Sequence, residues 1–191
     1  MSVFGFKEWK LICDAMERGE QSVILRKGGI SEGKHGFQWL HREFFLFPTY
    51  FHEQEDQLRL EEGTVEELPT KEREMIEVRQ YARIELTTEI TDLDQAKRFQ
   101  DLHLWNESVI EDRFGWGENN GISLAVVRVY RLKEPWMLAN RKGFGGCRSW
   151  LGMPKEEGLP ESWKEDLEPA LASDTFDEIL ATVKSRLDSN E

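Results

Sequence analysis

Alternating apolar and polar residues give the clearest structural pattern in this chain. Between residues 76 and 90 the apolar side chains fall on even positions and the charged ones on odd positions. This period of two predicts a strand with one polar face, long enough that we expect a bulge or bend within it. The apolar, β-branched residues of 122–132 and of 22–26 predict two further strands, the second of which enters a turn.

A continuous apolar run marks the strand that is predicted over residues 37–47. Residues 44–47, with the sequence FFLF, carry no polar side chain. Such a run is typical of a strand that is buried on both of its faces. Pro48 is expected to end this strand, because proline lacks a backbone donor for the sheet.

Apolar residues spaced three and four apart predict four helices. The first covers residues 6–18 and is expected to end at Gly19, and the last covers residues 174–187. Between them, Asp92 lies in a sequence resembling a capping box and is expected to begin a short helix. Asn106 is expected to cap a second short helix.

The order of these elements predicts an α+β fold. The predicted strands are joined by connections too irregular for a repeated βαβ unit. We therefore expect a mixed or mostly antiparallel sheet with helices packed on it. The length of 191 residues fits one α+β domain over residues 1–154, followed by an acidic helical appendage over residues 155–191 that packs on the domain or extends it.

Charge is distributed unevenly along the chain, which changes the meaning of its net charge of -12. Residues 51–121 hold eight basic against nineteen acidic residues, and residues 155–191 hold four against eleven. By contrast, residues 22–50 hold four basic against two acidic residues, and residues 122–154 hold six against one. The net charge therefore excludes broad coating of DNA by charge alone, but it leaves a local anion site open.

Composition also narrows the class of protein. No run approaches the roughly 18 apolar residues of a membrane span, and the N-terminus lacks the basic and then apolar stretches of a signal peptide. Two cysteines are too few for a disulfide framework, which favours a reducing compartment. We therefore expect a cytoplasmic protein without membrane contacts. The charged, irregular residues 53–74 are expected to form a solvated loop.

Two basic segments that contain glycine are candidate anion sites. The first follows the strand over 22–26, and the second lies in a loop predicted over 139–154. Their candidate residues are Arg26, Lys27, Gly28 and Gly29 in the first, and Arg141, Lys142, Gly145, Gly146 and Arg148 in the second. If the fold brings the segments together, cations and backbone N–H groups would line a pocket for phosphate or carboxylate. Neither segment matches the Walker A or dinucleotide pattern, and two tight turns with surface cations are the alternative interpretation.

Aromatic residues near these segments are candidate stacking surfaces. Tyr50 lies near the first segment in the sequence, and Phe144 and Trp150 belong to the second. Nucleic-acid bases stack on exposed aromatic rings, so these three side chains could hold a base beside the cations. The alternative is that their rings belong to the hydrophobic core.

Several longer phrases carry a family resemblance. They are GEQ at 19–21, LRKGGI at 25–30, FPTY at 47–50, LHLW at 102–105, FGWG at 114–117 and GGCRSW at 145–150. Through these phrases the chain, over about residues 6–154, resembles the DUF1802 family of uncharacterised prokaryotic proteins. No activity is established for that family. A suggested link between the family and restriction–modification systems implies nucleic acid as a ligand.

The leading hypothesis is a binding domain for a phosphate-bearing ligand, with nucleic acid or a nucleotide as the first candidate. One alternative is a hydrolase or metal-dependent nuclease that uses Glu32, His52 or Cys147. A second alternative is a protein-interaction subunit of a defence system, which would contact its partner through the acidic residues 51–74 and 155–191. Whether the protein is an enzyme stays open at this point.

The histidines of the chain predict no metal site. They are His35, His41, His52 and His103, and no two of them have the HxxxH spacing of a zinc site. The sequence does not indicate a particular cofactor.

Overall fold

The computed structural model describes residues 3–27, 37–50, 54–60, 73–117, 120–154, 158–159 and 162–189. These residues form seven strands and four α-helices. In chain order they are β1 (Val3–Trp9), α1 (Lys10–Arg18), β2 (Val23–Arg26), β3 (Glu43–Thr49), β4 (Met75–Ile90), α2 (Leu93–Lys97), α3 (Glu107–Gly115), β5 (Ile122–Ala139), β6 (Trp150–Met153), β7 (Glu168–Pro169) and α4 (Ser173–Asp188).

All seven strands belong to one sheet, in the order β2-β5-β4-β3-β1-β6, with β7 paired to β5. Strands β1 and β3 run parallel, whereas the other pairs are antiparallel. The ladder between β4 and β5 contains two register shifts, one between Val78 and Gln80 and one between Ile84 and Leu86. The predicted α+β fold with a mixed sheet is therefore confirmed, as is the expected irregularity in β4.

Strand β3 lies between two hydrophobic clusters. Phe44 and Leu46 pack into the cluster that also holds helix α1, and Phe45 and Phe47 pack into a second cluster. Burial on both faces is thus confirmed. However, β3 begins at Glu43 rather than at residue 37, and it continues through Pro48 to Thr49. Its registered pairing with β4 stops at Phe45, so a proline is tolerated beyond that point.

The helix predicted over residues 6–18 is wrong in its first part. Residues Val3–Trp9 form β1, which pairs with β3 on one side and β6 on the other, and the helix begins only at Lys10. Phe6 and Trp9 have the spacing of a helical stripe, but Gly5, Phe6, Lys7 and Glu8 are all buried in the strand. Pairing with two neighbouring strands therefore outweighs the local pattern.

The predictions for the second half of the chain hold in outline. The predicted strand at 122–132 is part of β5, which continues to Ala139. The loop predicted over 139–154 is shorter than expected, because Ala139 belongs to β5 and Trp150–Met153 form β6. The Asp92 side chain caps α2 by accepting a hydrogen bond from the Gln95 N–H at 2.7 Å, as predicted.

The C-terminal residues contact the same sheet. Phe176 and Val183 of α4 are buried in the cluster that holds α1, and β7 pairs with β5. No helix in the described parts of the chain has the length and apolar character needed to cross a membrane. Of the solvated loop predicted over residues 53–74, the structure describes 54–60, 73 and 74. Gln54 and Leu58 are buried there, and Leu58 belongs to the cluster that holds α1, so the prediction is wrong for this part and stays a prediction for the rest of the segment.

Gly19 ends α1, as the sequence predicted. Its backbone is left-handed, with φ of 79°. Its N–H and that of Glu20 donate to the carbonyls of Met16 and Ala15, at 3.2 and 2.9 Å. A Cβ atom on Gly19 would lie 2.9 Å from the Ala170 carbonyl oxygen. Both the conformation and the close approach therefore favour glycine here.

Gly19→Ala is expected to lower the free energy of unfolding by about 1–2 kcal/mol from the left-handed backbone alone, with the contact to Ala170 adding to the loss. Urea denaturation followed by circular dichroism measures the change. Gly152→Ala is the control, because a Cβ there meets nothing within 4 Å and its φ is not positive. Equal losses in the two variants would contradict this account of Gly19.

Candidate functional site

A pocket of about 300 Å³ lies where the end of β2, the end of α3 and the turn before β6 meet. Its lining consists of Arg26, Lys27, Asp112, Arg113, Trp116, Cys147 and Ser149. Strands β2 and β6 stand at opposite ends of the sheet order. The sheet must therefore curl until these two ends approach each other, and the pocket lies at their junction.

Arg26, at the end of β2, spans this junction. Its Nη2 donates to the Lys7 carbonyl at 2.8 Å and its Nε to the Ser149 hydroxyl at 3.3 Å. Its Nη1 lies 3.7 Å from a carboxylate oxygen of Glu8, whose side chain is 1% exposed. The guanidinium also lies 5.0 Å from the centre of the Phe6 ring. Contacts with β1 and with the turn before β6 thus fix the position of this cation.

Arg113, in the last turn of α3, places a second guanidinium in the lining. It lies 3.7 Å from the centre of the Trp105 ring, and its Nη1 donates to the Leu25 carbonyl at 3.4 Å. Burial, together with repulsion from Arg26, lowers the pKa of Arg113 to about 10, against a raising effect of Glu8. Among the described residues no carboxylate lies within 4.0 Å of this guanidinium.

Lys27 lines the pocket, and its ammonium group forms hydrogen bonds to two carbonyls outside the lining. Its Nζ donates to the Gly121 carbonyl at 2.7 Å and to the Phe114 carbonyl at 3.3 Å. Burial lowers the pKa of Lys27, and the Glu89 carboxylate partly offsets this effect. The ammonium group therefore ties the end of α3 to the start of β5 and adds a positive charge to the lining.

The turn before β6 is tied to β1 through Lys7. The Lys7 Nζ donates to the carbonyls of Gly145 and Gly146, at 3.1 and 2.9 Å. Burial and the nearby Arg148 lower the pKa of this buried lysine. The N–H of Gly145 donates to the Lys142 carbonyl. The two glycines thus place their carbonyls on a cation, and the Gly145 N–H is already engaged within the turn.

The site is positively charged although the protein is acidic. Three basic side chains line it, namely Arg26, Lys27 and Arg113, and Lys7 and Arg148 lie nearby in the contacts of Arg26 and of the turn before β6. The carboxylates at the site are Glu8, which is buried beside Arg26, and Asp112, which is part of the lining. Cations therefore outnumber carboxylates in the lining, which makes the local electrostatic potential more positive than the net charge of the protein suggests.

The structure brings together part of each predicted basic segment. Arg26 and Lys27 from the first segment line the same pocket as Cys147 from the second. Arg141 and Lys142 are exposed on the turn, outside the lining, and Arg148 donates to the Gly143 carbonyl at 3.1 Å. Gly28, Gly29, Glu32 and His52 lie outside the described residues. A ligand-binding role for all of these residues stays a prediction.

The three aromatic residues predicted to stack on a base lie elsewhere than the pocket lining. The Phe144 ring is buried in the core, 5.1 Å from the ring of Phe47. Trp150 packs on Phe6, and its Nε1 donates to the Gln38 carbonyl at 3.0 Å. The ring of Tyr50 is covered by the Arg73 guanidinium at 4.8 Å. These placements agree with the alternative interpretation that such rings serve mainly in packing.

Four residues of the lining were not predicted from the sequence, namely Asp112, Arg113, Trp116 and Ser149. Lys7 and Glu8, which contact the site from β1, fall within the residues for which the pattern predicted a helix. The signal for Arg113 was present, because it lies three residues after the buried Ile110, where the helical stripe calls for an apolar side chain. Trp116 lies within the FGWG phrase at 114–117, which directly follows Arg113 in the sequence.

The described histidines serve packing roles. His41 stacks on Phe4, with ring centres 3.4 Å apart. His103 is buried, and its Nδ1 accepts a hydrogen bond from the Trp105 N–H at 3.2 Å. Within the described ranges, no three His, Cys, Asp or Glu side chains are grouped so as to hold a metal ion.

Comparisons with known proteins show what this chain is similar to. No curated protein matches it. Among solved structures, the ASCH protein from Zymomonas mobilis aligns with a TM-score of 0.47 and 14% identity, over 81% of this chain and 89% of that one. Two mutants of the same protein align with TM-scores of 0.49, also at 14% identity, over 81–82% of this chain and 89–94% of theirs. Likeness at this level carries no argument about function. The family model described as "Domain of unknown function (DUF1802)" matches residues 5–182, and the chain therefore belongs to the DUF1802 family.

Proposed function

We propose that this protein binds a phosphate-bearing ligand, with nucleic acid or a nucleotide as the first candidate, in the pocket between β2, α3 and the turn before β6. The observation that carries the proposal is the Arg113 guanidinium. It lines the pocket, it is partly buried, and no described carboxylate lies within 4.0 Å of it. A cation that has lost part of its hydration without gaining an ion pair attracts a bound anion strongly, so such a cation makes a favourable contribution to the free energy of anion binding.

The chemistry of the lining favours phosphate over a simple carboxylate. Arg26, Lys27 and Arg113 present cationic N–H donors from two separate elements. A phosphate group offers several charged oxygens to such converging donors, whereas a carboxylate offers two oxygens in one plane. Three cations around one pocket therefore match the acceptor geometry of a phosphate better.

The wider roles suggested by the sequence stay predictions. A place in restriction or defence comes from the family resemblance alone. The hydrolase alternative names Glu32, His52 and Cys147, of which Cys147 lines the pocket and the other two lie outside the described residues. The protein-interaction alternative depends on acidic segments of which only parts are described.

Occupancy of the pocket is measurable through Cys147. This thiol is exposed and lines the pocket, whereas Cys13 is buried. Burial raises the pKa of the Cys13 thiol, which makes it a slow internal reference for alkylation. Mass spectrometry of iodoacetamide labelling, at rising concentrations of inorganic phosphate, adenosine monophosphate or a short single-stranded oligonucleotide, then gives the concentration of each probe that protects Cys147 by half.

Lys27→Gln and Arg113→Gln are each expected to raise the half-protecting concentration about tenfold or more, because a charge-assisted hydrogen bond contributes about 1.5–3 kcal/mol. Glutamine keeps an N–H donor for the carbonyls that each residue contacts. Lys133→Gln is the control, since Lys133 is 69% exposed on β5 and is not part of the lining. Circular dichroism confirms that each variant is folded. The proposal fails if no phosphate-bearing probe protects Cys147, or if the control shifts as much as the pocket variants.

A further inference from the structure

We infer that the ligand presents an unpaired nucleobase to Trp116, so that the pocket takes a nucleotide rather than phosphate alone. This inference rests on the proposed phosphate site. Trp116 lines the same pocket as Arg26 and Lys27, and 48% of its surface is exposed. Trp105 and Trp136 are each 1% exposed. A half-exposed indole beside a cluster of cations thus stands apart from these buried tryptophans.

The backbone holds Trp116 at the edge of the pocket. Helix α3 ends at Gly115, and Trp116 follows in an extended conformation, with φ of -77° and ψ of 135°. Its N–H donates to the Arg113 carbonyl at 3.3 Å. Two residues earlier, the Phe114 side chain is buried in the core, and its carbonyl accepts a hydrogen bond from Lys27. The indole therefore extends from an anchored helix end.

The chemistry of these neighbours fits the two parts of a nucleotide. A base stacks on an indole whatever its sequence, because every base has a π face. The phosphate attached to it needs cationic donors, which Arg26, Lys27 and Arg113 provide. Inorganic phosphate lacks the ring, and a duplex keeps its bases stacked inside the helix. The pairing of an open indole with cations therefore selects a nucleotide whose base is unpaired.

Asp112 indicates how a nucleotide would be oriented in the pocket. It lines the pocket and lies four residues before Trp116, at the end of the same helix. A carboxylate repels a second phosphate, but it accepts hydrogen bonds from the amino group of a base or from a ribose hydroxyl. The phosphate is thus expected beside Arg26 and Lys27, and the base or sugar on the side of Asp112.

Trp116→Ala tests this inference with four probes: inorganic phosphate, adenosine monophosphate, a single-stranded oligonucleotide and a duplex of the same sequence. Protection of Cys147 is the readout. We expect the variant to bind the nucleotide and the single strand about tenfold more weakly, while its affinity for inorganic phosphate is unchanged. Trp116→Phe is expected to keep most of the affinity, because phenylalanine also offers a ring. Leu40→Ala is the control, since Leu40 is an exposed apolar residue outside the lining.

The outcomes separate this inference from the proposed function. If no probe protects Cys147 in the unchanged protein, the phosphate site itself fails. If the probes protect Cys147 but Trp116→Ala weakens none of them, or weakens phosphate as much as the nucleotide, the phosphate site stands and the base contact is overturned. Duplex binding as tight as that of the single strand also overturns it. Two outcomes support an unpaired base. Tighter binding of the single strand than of the free nucleotide identifies nucleic acid as the source of the base, and equal binding of both shows that one nucleotide fills the site.

Discussion

Lowering the pH from 7 to 4 is expected to reduce the free energy of unfolding by about 3 kcal/mol through His103 alone. This side chain is 2% exposed. Burial lowers the pKa of His103 to about 3, and repulsion from Arg59 and Arg113 adds to the effect. Its Nδ1 accepts the Trp105 N–H, and its Nε2 has no hydrogen-bond partner within the part of the chain that the structure describes. The folded protein therefore holds this imidazole in its neutral form.

The sign of the effect follows from where the proton binds. In the unfolded chain a histidine has a pKa of about 6.5. Between pH 6.5 and 3 the unfolded chain takes up a proton that the folded protein does not, so acid favours unfolding. The contribution is fully present above about pH 6.5 and is lost progressively as the pH falls towards 3.

His103→Asn isolates this contribution from that of the carboxylates. The asparagine oxygen takes the place of Nδ1 as an acceptor for the Trp105 N–H, but it does not titrate. Urea denaturation at several pH values between 7 and 4 gives the stability of both proteins. Their difference is expected to change by about 3 kcal/mol over this interval, because the carboxylates are common to both. If the free energies of unfolding of the two proteins changed in parallel with pH, His103 would make no contribution to the pH dependence of stability.

The sequence predicts those parts of the fold that local patterns determine. The period of two in β4 is visible because one face of that strand is polar and the other is buried. The cap of α2 and the end of α1 are visible because Asp92 and Gly19 act on their own neighbours. Strand β1 was missed because its burial comes from β3 and β6, which are distant in the sequence.

The residues of the site also fall into two groups, those that a local sequence pattern predicts and those that only the tertiary fold brings to the pocket. Arg26, Lys27 and the turn that contains Cys147 were predicted from composition, because cations and glycines in a short segment are a local signal. Arg113 and Trp116 reach the pocket only because α3 ends at the junction between the two ends of the sheet. That juxtaposition depends on the curl of the whole sheet. A sequence pattern therefore indicates aromatic residues that are close to the basic segments along the chain, whereas Trp116 is close to Arg26 and Lys27 only in space.

Glu8→Gln is expected to change stability and ligand affinity in opposite directions. Glu8 is 1% exposed and lies 3.7 Å from the Arg26 guanidinium, and its Oε1 accepts the Trp9 N–H at 2.8 Å. Glutamine preserves that acceptor but removes the charge that balances Arg26 and Arg113. Breaking a buried ion pair leaves an uncompensated charge, so we expect unfolding to require about 3 kcal/mol less free energy. The same change makes the pocket more positive, so phosphate-bearing probes are expected to bind several-fold more tightly.

Urea denaturation measures the first effect and protection of Cys147 measures the second. Glu20→Gln is the matched control, because Glu20 pairs with Arg18 on the surface with both side chains 48% exposed, and exposed pairs contribute at most about 1 kcal/mol. If Glu8 only supported the fold, Glu8→Gln would lower the free energy of unfolding without tightening ligand binding. An unchanged or weaker affinity in a folded Glu8→Gln protein would therefore remove Glu8 from the electrostatics of the pocket, whereas tighter binding would show that the fold retains a buried carboxylate at the expense of ligand affinity.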